Sequence, residues 1–113
     1  MRSTPLELAI SHDRRAPVLR LSGDIDLATC PTVEAALAVR LRRAPALLVV
    51  DLGAVGFIGS CGLELLAETR RTALGSVRVA ACVPAVLRAM EVTGTIEAIA
   101  PYRTVADALT VDA

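Results

Sequence analysis

The chain has 113 residues, 54% of them hydrophobic, and its twelve basic side chains are balanced by twelve acidic ones. That length suits one domain able to bury a core without disulfide or metal staples, and the charge balance excludes a broad footprint for nucleic acid or anionic lipid. One Phe, one Tyr and no Trp argue against a base-stacking surface for single-stranded nucleic acid.

Leu6 to Ser11 alternates apolar and polar residues, as does Pro17 to Ser22, and each reads as a strand. The polar His12-Asp13-Arg14-Arg15 between them predicts a hairpin at a sheet edge. Gly23-Asp24-Ile25-Asp26 follows as a turn carrying two carboxylates. From Pro31 the period changes: Val33, Ala36, Leu37 and Leu41 fall at helical spacing, so a helix is expected over Pro31 to Arg43, with the proline in its first turn. Arg40, Arg42 and Arg43 then form a solvated helix end that suits the dipole. Leu47 to Leu52 is an apolar run interrupted only by Asp51, the mark of a strand covered on both faces.

After a loop over Gly53 to Gly59, a second helix is expected from Ser60 to Leu74, stopped by Gly75. Val77 to Ala81 reads as a strand, Pro84 to Met90 as a short helix ended near Gly94, and Ile96 to Ala100 as a last short strand. Thr104, with Asp107 three residues on, marks the start of a final helix docked by Val105, Ala108 and Leu109. The expected order is β-β-α-β-α-β-α-β-α, with parallel pairings and right-handed crossovers. No linker or repeat divides the chain, and the tails, Met1 to Pro5 and Thr110 to Ala113, are expected to be loosely held.

Three cysteines, Cys30, Cys61 and Cys82, without CxxC spacing do not form a secreted disulfide framework or a zinc site. No signal-peptide pattern opens the chain, and no apolar run, Ala44 to Val50 included, is long enough for a bilayer. A cytoplasmic location without membrane insertion is the default expectation.

The stretch Gly59-Ser60-Cys61-Gly62 lies where an apolar segment gives way to a helix. Ser60 at or next to the N-cap either satisfies an orphan helix N–H or presents an alcohol where a phosphoryl group is stabilised by the dipole. Flanking glycines leave the hydroxyl open to another protein's active site. Phosphorylation there adds ~1.5–2 negative charges, and disfavouring a complex by ~3 kcal/mol weakens it about 100-fold.

The segments "LRLSGDIDLATCPTVEAAL", "LLVVDLGAVGFIGSCGLELL" and "VRVAACVPAVLRAMEVTG" together resemble the STAS domain, specifically single-domain bacterial anti-sigma factor antagonists. The likeness runs from about Leu6 to Leu109. It rests on the Gly-acidic-x-Asp turn at Gly23 to Asp26, the strand ending in Asp51-Leu52, the aromatic Phe57 and the Ser-x-Gly-Leu helix start at Ser60 to Leu63. The resemblance implies an α/β STAS fold: a mixed, mostly parallel sheet of about five strands, about four helices and an N-terminal β-hairpin, as a single domain over 1–113.

It also implies partner switching. The unphosphorylated antagonist binds an anti-sigma factor that is itself a serine kinase and frees a sigma factor. The kinase uses ATP and Mg²⁺ to phosphorylate the antagonist, which then lets go, and a serine phosphatase resets it. By motif position the phosphoacceptor is Ser60. Gly23, Asp24, Asp26, Gly59, Ser60, Cys61, Gly62 and Leu63 form the partner-binding surface. No catalysis, cofactor, metal or direct nucleic-acid contact is implied for the antagonist itself. The sequence departs from the family pattern at Gly59, where Asp is usual, and at Cys61, where Ser or Thr is common.

Other readings fit parts of the pattern. The same fold serves as an accessory subunit of membrane transporters, or as a constitutive binding module without a phospho-switch. A hydrolase or thiol enzyme built on Ser60 or Cys61 needs a neighbouring base, and His12, alone in a hairpin turn, does not offer one. Asp24 and Asp26 at i, i+2 fit ordinary turn polarity better than a metal pair. Cys61 fits a small packing residue, although a helix N-terminus also favours a reactive thiol, and a disulfide between two of the three cysteines is a further possibility.

Overall fold

A computed structural model of the chain describes residues 4–14 and 16–110. Nine elements follow one another: β1 (Glu7–Asp13), β2 (Ala16–Ile25), α1 (Cys30–Leu41), β3 (Leu48–Ile58), α2 (Ser60–Ala73), β4 (Val77–Ala80), α3 (Pro84–Thr93), α4 (Ile96–Ile99) and α5 (Val105–Thr110). The four strands form one sheet in the order β1-β2-β3-β4. β1 and β2 pair antiparallel as the expected hairpin, and β2–β3 and β3–β4 pair parallel. Arg15, one residue of the expected turn, and residues 1–3 and 111–113 of the expected tails lie outside the described residues.

Period-two alternation sorts the strand side chains between two faces. Leu19, Leu21 and Ile25 of β2, Leu48, Val50 and Leu52 of β3, and Val77 and Val79 of β4 enter the main core. They meet Val33 and Leu37 of α1, Leu63 and Leu66 of α2, Val86 and Met90 of α3, and Ile99 of α4. The opposite face is covered in part by α5, where Ala108 packs on Val18 and Val49. Coverage on both sides explains why β3 opens as an unbroken apolar run. On the α5 face the alternation places Asp51, a buried carboxylate, beside its strand partner Arg20, whose Nε lies 3.3 Å from Asp51 Oδ2. Thr104 caps α5 as expected, its hydroxyl accepting from Asp107 N at 3.0 Å.

Three expectations change. Ile96–Ile99 is a single helical turn, not a strand. Arg70 reaches it from α2, donating to the carbonyls of Ala98 and Ile99 at 3.2 and 3.0 Å, which satisfies helix-end acceptors that would otherwise be orphaned. A fourth pairing of the sheet comes later, as an isolated parallel bridge between Ala80 and Tyr102. Second, β2 runs through Gly23 and Asp24 to Ile25, so the acidic turn begins at Asp26, three residues further on. Third, the expected loop from Gly53 to Gly59 is mostly strand.

That third change has a structural cause. Arg20 pairs with Asp51 but Ser22 with Ala54, and Gly23 pairs with Val55 but Asp24 with Phe57. Each step leaves one extra residue on β3, which is the signature of a β-bulge. Asp51 steadies the first bulge, its Oδ1 accepting from Gly53 N at 2.8 Å. The two bulges break the alternation that sequence patterning relies on and increase the local twist at the end of β3.

The N-terminal segment is held more firmly than its position suggests. Thr4 N donates to Asp24 Oδ2 and Asp24 N donates to Thr4 O, both at 3.0 Å. Gly23, at φ +92°, permits this approach, because a Cβ there would lie 2.0 Å from the carbonyl oxygen of Pro5.

Candidate docking site around Ser60

β2 and β3 are parallel neighbours and end side by side, Ile25 opposite Ile58. The chain beyond each therefore emerges at the same end of the sheet, where open α/β sheets place their ligand contacts. From β2 comes the turn Asp26–Thr29 leading into α1. From β3 comes Gly59, then α2. Gly59 N donates to Ile25 O at 2.8 Å and ties the two exits together.

Gly59, not Ser60, is the N-cap of α2, in extended backbone at φ −84°, ψ 175°. Its carbonyl accepts from Gly62 N and Leu63 N, both at 3.1 Å. Ser60 is the first helical residue. Its side chain is exposed, and among the described residues its hydroxyl makes no hydrogen bond. The capping role open to Ser60 in the sequence is thus taken by the glycine, and the alcohol is left free at the positive end of a fourteen-residue helix. The backbone N–H groups of Ser60 and Cys61 also lack partners among the described residues, as expected for the first turn of a helix.

Gly62 and Leu63 fall on the inner side of that turn. Leu63 is buried in the main core. A Cβ on Gly62 would lie 2.8 Å from Ile25 Cγ2 and 2.9 Å from Ile58 Cγ1, so glycine lets α2 settle onto both strand ends. These two residues set the height of Ser60 rather than offering contact surface.

The acidic pair is engaged locally. The Asp24 carboxylate holds Thr4. Asp26 Oδ1 accepts from Thr29 N at 3.0 Å and from Thr29 Oγ1 at 3.1 Å, while Asp26 N donates to Thr29 Oγ1 at 2.9 Å. This Asx-type turn launches α1. Gly23 is buried beneath the N-terminal segment and is not surface at all. Among the described residues no group of His, Cys, Asp and Glu is arranged to hold a metal ion.

Two apolar residues outside the sequence-derived set complete the site. Leu27, in the Asp26–Thr29 turn, is 81% exposed, and Phe57, the single phenylalanine of the chain, is 53% exposed. The Phe57 ring flanks Gly59, lying 3.8 Å from the position a Cβ would take there. A large aromatic left half in water within a chain so poor in aromatics was the available sequence signal. It was masked because Phe57 lies in what reads as a loop.

Cys61 and Cys30 stand together. Burial first, then the hydrogen-bonding Cys61 side chain and its charge, and last the charge of Glu34, push the Cys30 thiol up to about 11. Both are partly buried, Cys82 is exposed, and all three are free thiols.

This parallel-sheet end, with a free serine opening the helix after the central strand, is the layout of a STAS domain. The STAS domain profile matches residues 7–108, and the chain belongs to that family. Among similar proteins, the anti-sigma-F factor antagonist RsfB of Mycobacterium tuberculosis is 38% identical over 64 residues, 57% of this chain and 52% of RsfB. The chain thus spans about half the length of the curated relative it matches. A crystal structure of an anti-sigma factor antagonist from Mycobacterium paratuberculosis superposes with a TM-score of 0.86 at 34% identity, covering 94% of this chain and 92% of the other. The antagonist SpoIIAA in its unphosphorylated form shares the fold at 18% identity and a TM-score of 0.68, with 93% of each chain covered. No helix among the described residues is long and apolar enough to cross a membrane.

Proposed function

We propose that this chain is a non-catalytic anti-sigma factor antagonist. It binds an anti-sigma factor that is also a serine kinase, releases the sigma factor held by it, and is switched off by phosphorylation of Ser60. The observation that carries the reading is the free, exposed Ser60 hydroxyl at the first position of α2, bordered by Gly59 and flanked by exposed Phe57. The relatives named as anti-sigma factor antagonists support the same role.

The physical case runs through the neighbourhood of the alcohol. In the unmodified protein the immediate neighbours of the alcohol are uncharged, Gly59, Cys61 and Phe57, with Leu27 on the adjoining turn and the two carboxylates already occupied; exposed Glu64 lies one turn further along α2. Such a patch associates by burying apolar area. A phosphoryl group on Ser60 Oγ brings ~1.5–2 negative charges to helix N–H groups that stabilise it. A partner docked there must then strip water from a dianion. A penalty of ~3 kcal/mol weakens binding about 100-fold, so a single modification suffices to exchange partners. A serine phosphatase completes the cycle by removing the group.

The test is a pull-down of candidate anti-sigma factors by wild type, Ser60→Ala and Ser60→Glu, followed by incubation with ATP and Mg²⁺ and mass spectrometry. Wild type and Ser60→Ala retain the partner, Ser60→Glu releases it, and wild type alone gains one phosphate. Phosphate at another residue, or none with a verified cognate kinase, removes the switch. In that case Ser60→Ala and Ser60→Glu binding equally well identifies a constitutive binding module.

A further inference from the structure

The thiols of Cys30 and Cys61 meet beside Ser60 for reasons that trace to the sheet. Ile25 and Ile58 are parallel-strand partners, roughly 5 Å apart. Cys30 opens the helix after the first, and Cys61 is the second residue of the helix after the other. Cys30 N donates to Asp26 O and Gly59 N to Ile25 O, both at 2.8 Å, which draws both helix starts back onto the strand ends. Gly62 removes the side chain that would hold α2 away from Ile25. The two helix starts thus bring the Cys30 and Cys61 side chains close enough to influence one another, both partly open to solvent. Cys82 does not join them. It follows β4, whose last residue pairs with Asp51, well short of the end of β3 at Ile58.

We propose that Cys30 and Cys61 form a reversible disulfide site, closed by exchange with a low-molecular-weight disulfide, which pins the first turn of α2 to the first turn of α1. The thiolate of one cysteine attacks the small-molecule disulfide, displaces one small thiolate and forms a mixed disulfide. The other cysteine, losing its proton, then attacks the protein sulfur of that mixed disulfide and displaces the second small thiolate. The small disulfide is reduced to two thiols, which take up the two protons, and the protein dithiol is oxidised to one disulfide.

The bridge bears on Ser60 because the two residues are adjacent. A kinase must draw Ser60 into its own active site, which requires the first turn of α2 to lift from its seat on the strand ends, a local opening. Fraying lets the serine lift toward an enzyme's active site. A cross-link at Cys61 stops that motion one residue away. This consequence rests on the phospho-switch proposed above, whereas the bridge itself does not.

The experiment uses the full chain carrying Cys82→Ser, treated with oxidised glutathione, alkylated, and cut with trypsin without reductant. The arginine pattern places Cys30 in the peptide Leu21 to Arg40 and Cys61 in Ala44 to Arg70. Those two peptides joined in the monomer, lost on reduction and lost in Cys30→Ser, are the expected result. A rise in Tm on the order of 8–16 °C accompanies closure of the loop. Two separately glutathionylated or unreacted thiols, or a link found only between molecules, overturns the proposal. Bridged and reduced forms are also offered to the cognate kinase with ATP, and phosphoryl transfer to the bridged form is slowed several-fold. Equal rates refute the coupling to Ser60 while the linked peptide upholds the bridge. Transfer to neither form counts against the phospho-switch and leaves the bridge to be decided by the peptides.

Discussion

Substituting Gly62 by alanine tests whether α2 is seated as tightly as the docking surface requires. The new methyl carbon would lie 2.8 Å from Ile25 Cγ2 and 2.9 Å from Ile58 Cγ1. Neither is the free end of a flexible chain: both isoleucines are buried in the main core, and both contacting atoms branch directly from Cβ. Relief therefore requires the helix start to rise, and inserting one carbon into such packing costs about 1–3 kcal/mol. Alanine regains up to ~1 kcal/mol of helix propensity over glycine. The net is a loss of roughly 1–2 kcal/mol, or about 4–8 °C in Tm for a chain of this length. Urea denaturation measures it as a lowered midpoint with an unchanged slope. Gly56→Ala is the control, since a Cβ there meets nothing within 4 Å, and its midpoint stays at the wild-type value. The reasoning is refuted if Gly62→Ala matches or exceeds wild-type stability. A destabilised Gly62→Ala that binds its partner normally would show that the height of Ser60 above the strands is not what the partner reads.

Truncating the exposed apolar residues separates contact from folding. Leu27→Ala and Phe57→Ala each weaken anti-sigma factor binding by about 1–2 kcal/mol, roughly 5- to 30-fold, with denaturation midpoints near wild type, as calorimetric titration and urea melts will show. Alkali acts through Cys30. Its thiol ionises near 9.0 ordinarily and near 11 in the folded chain, through burial, Cys61 and Glu34 in that order. The folded state therefore holds the proton more tightly, so this contribution to stability is complete below about pH 9 and is lost as pH rises through about 11. Denaturation midpoints of wild type against Cys30→Ala across that window will show the wild type falling more steeply. Asp51→Ala leaves Gly53 N without its acceptor and Arg20 without its partner, at a cost of about 1–3 kcal/mol. Asp51→Asn, which keeps an acceptor for Gly53, recovers part of that loss in the same assay.

Sequence patterning locates this site better than it describes it. The helix start at Ser60 is legible because two local signals coincide, glycine-rich backbone and the onset of a 3.6-residue period. The helix after Pro31 is legible from its first-turn proline and the same onset of a helical period, although it opens at Cys30. The strands behind them are not, because the bulges at the end of β3 interrupt alternation at the point where the strand does its positioning. Gly53 and Gly56 read as loop residues, and only the pairing with β2 shows them to be strand. Ile96-Glu97-Ala98-Ile99 alternates like a strand, yet its two isoleucines also fit one helical turn. Arg70, far away in sequence, settles the matter by bonding its carbonyls. Long-range partners decide short ambiguous segments, and no local window contains them. The same limit hides the Cys30–Cys61 contact, since their separation in sequence gives no hint that parallel neighbours deliver them to one point.

The division of labour among the site residues follows from where each side chain is spent. Asp24 and Asp26 look like surface carboxylates in the sequence, but their oxygens fasten the N-terminal segment and the start of α1. Gly23 and Gly62 permit close approaches that no other residue allows. These four build the platform, and replacing them perturbs binding by way of folding. Ser60, Phe57 and Leu27 contribute nothing comparable to the core or to the internal bond network, so their exposure is not a by-product of holding the fold together. Substitutions at these three positions therefore change partner affinity and leave stability almost untouched. That separation distinguishes a surface used for docking from one whose polar groups only maintain the fold.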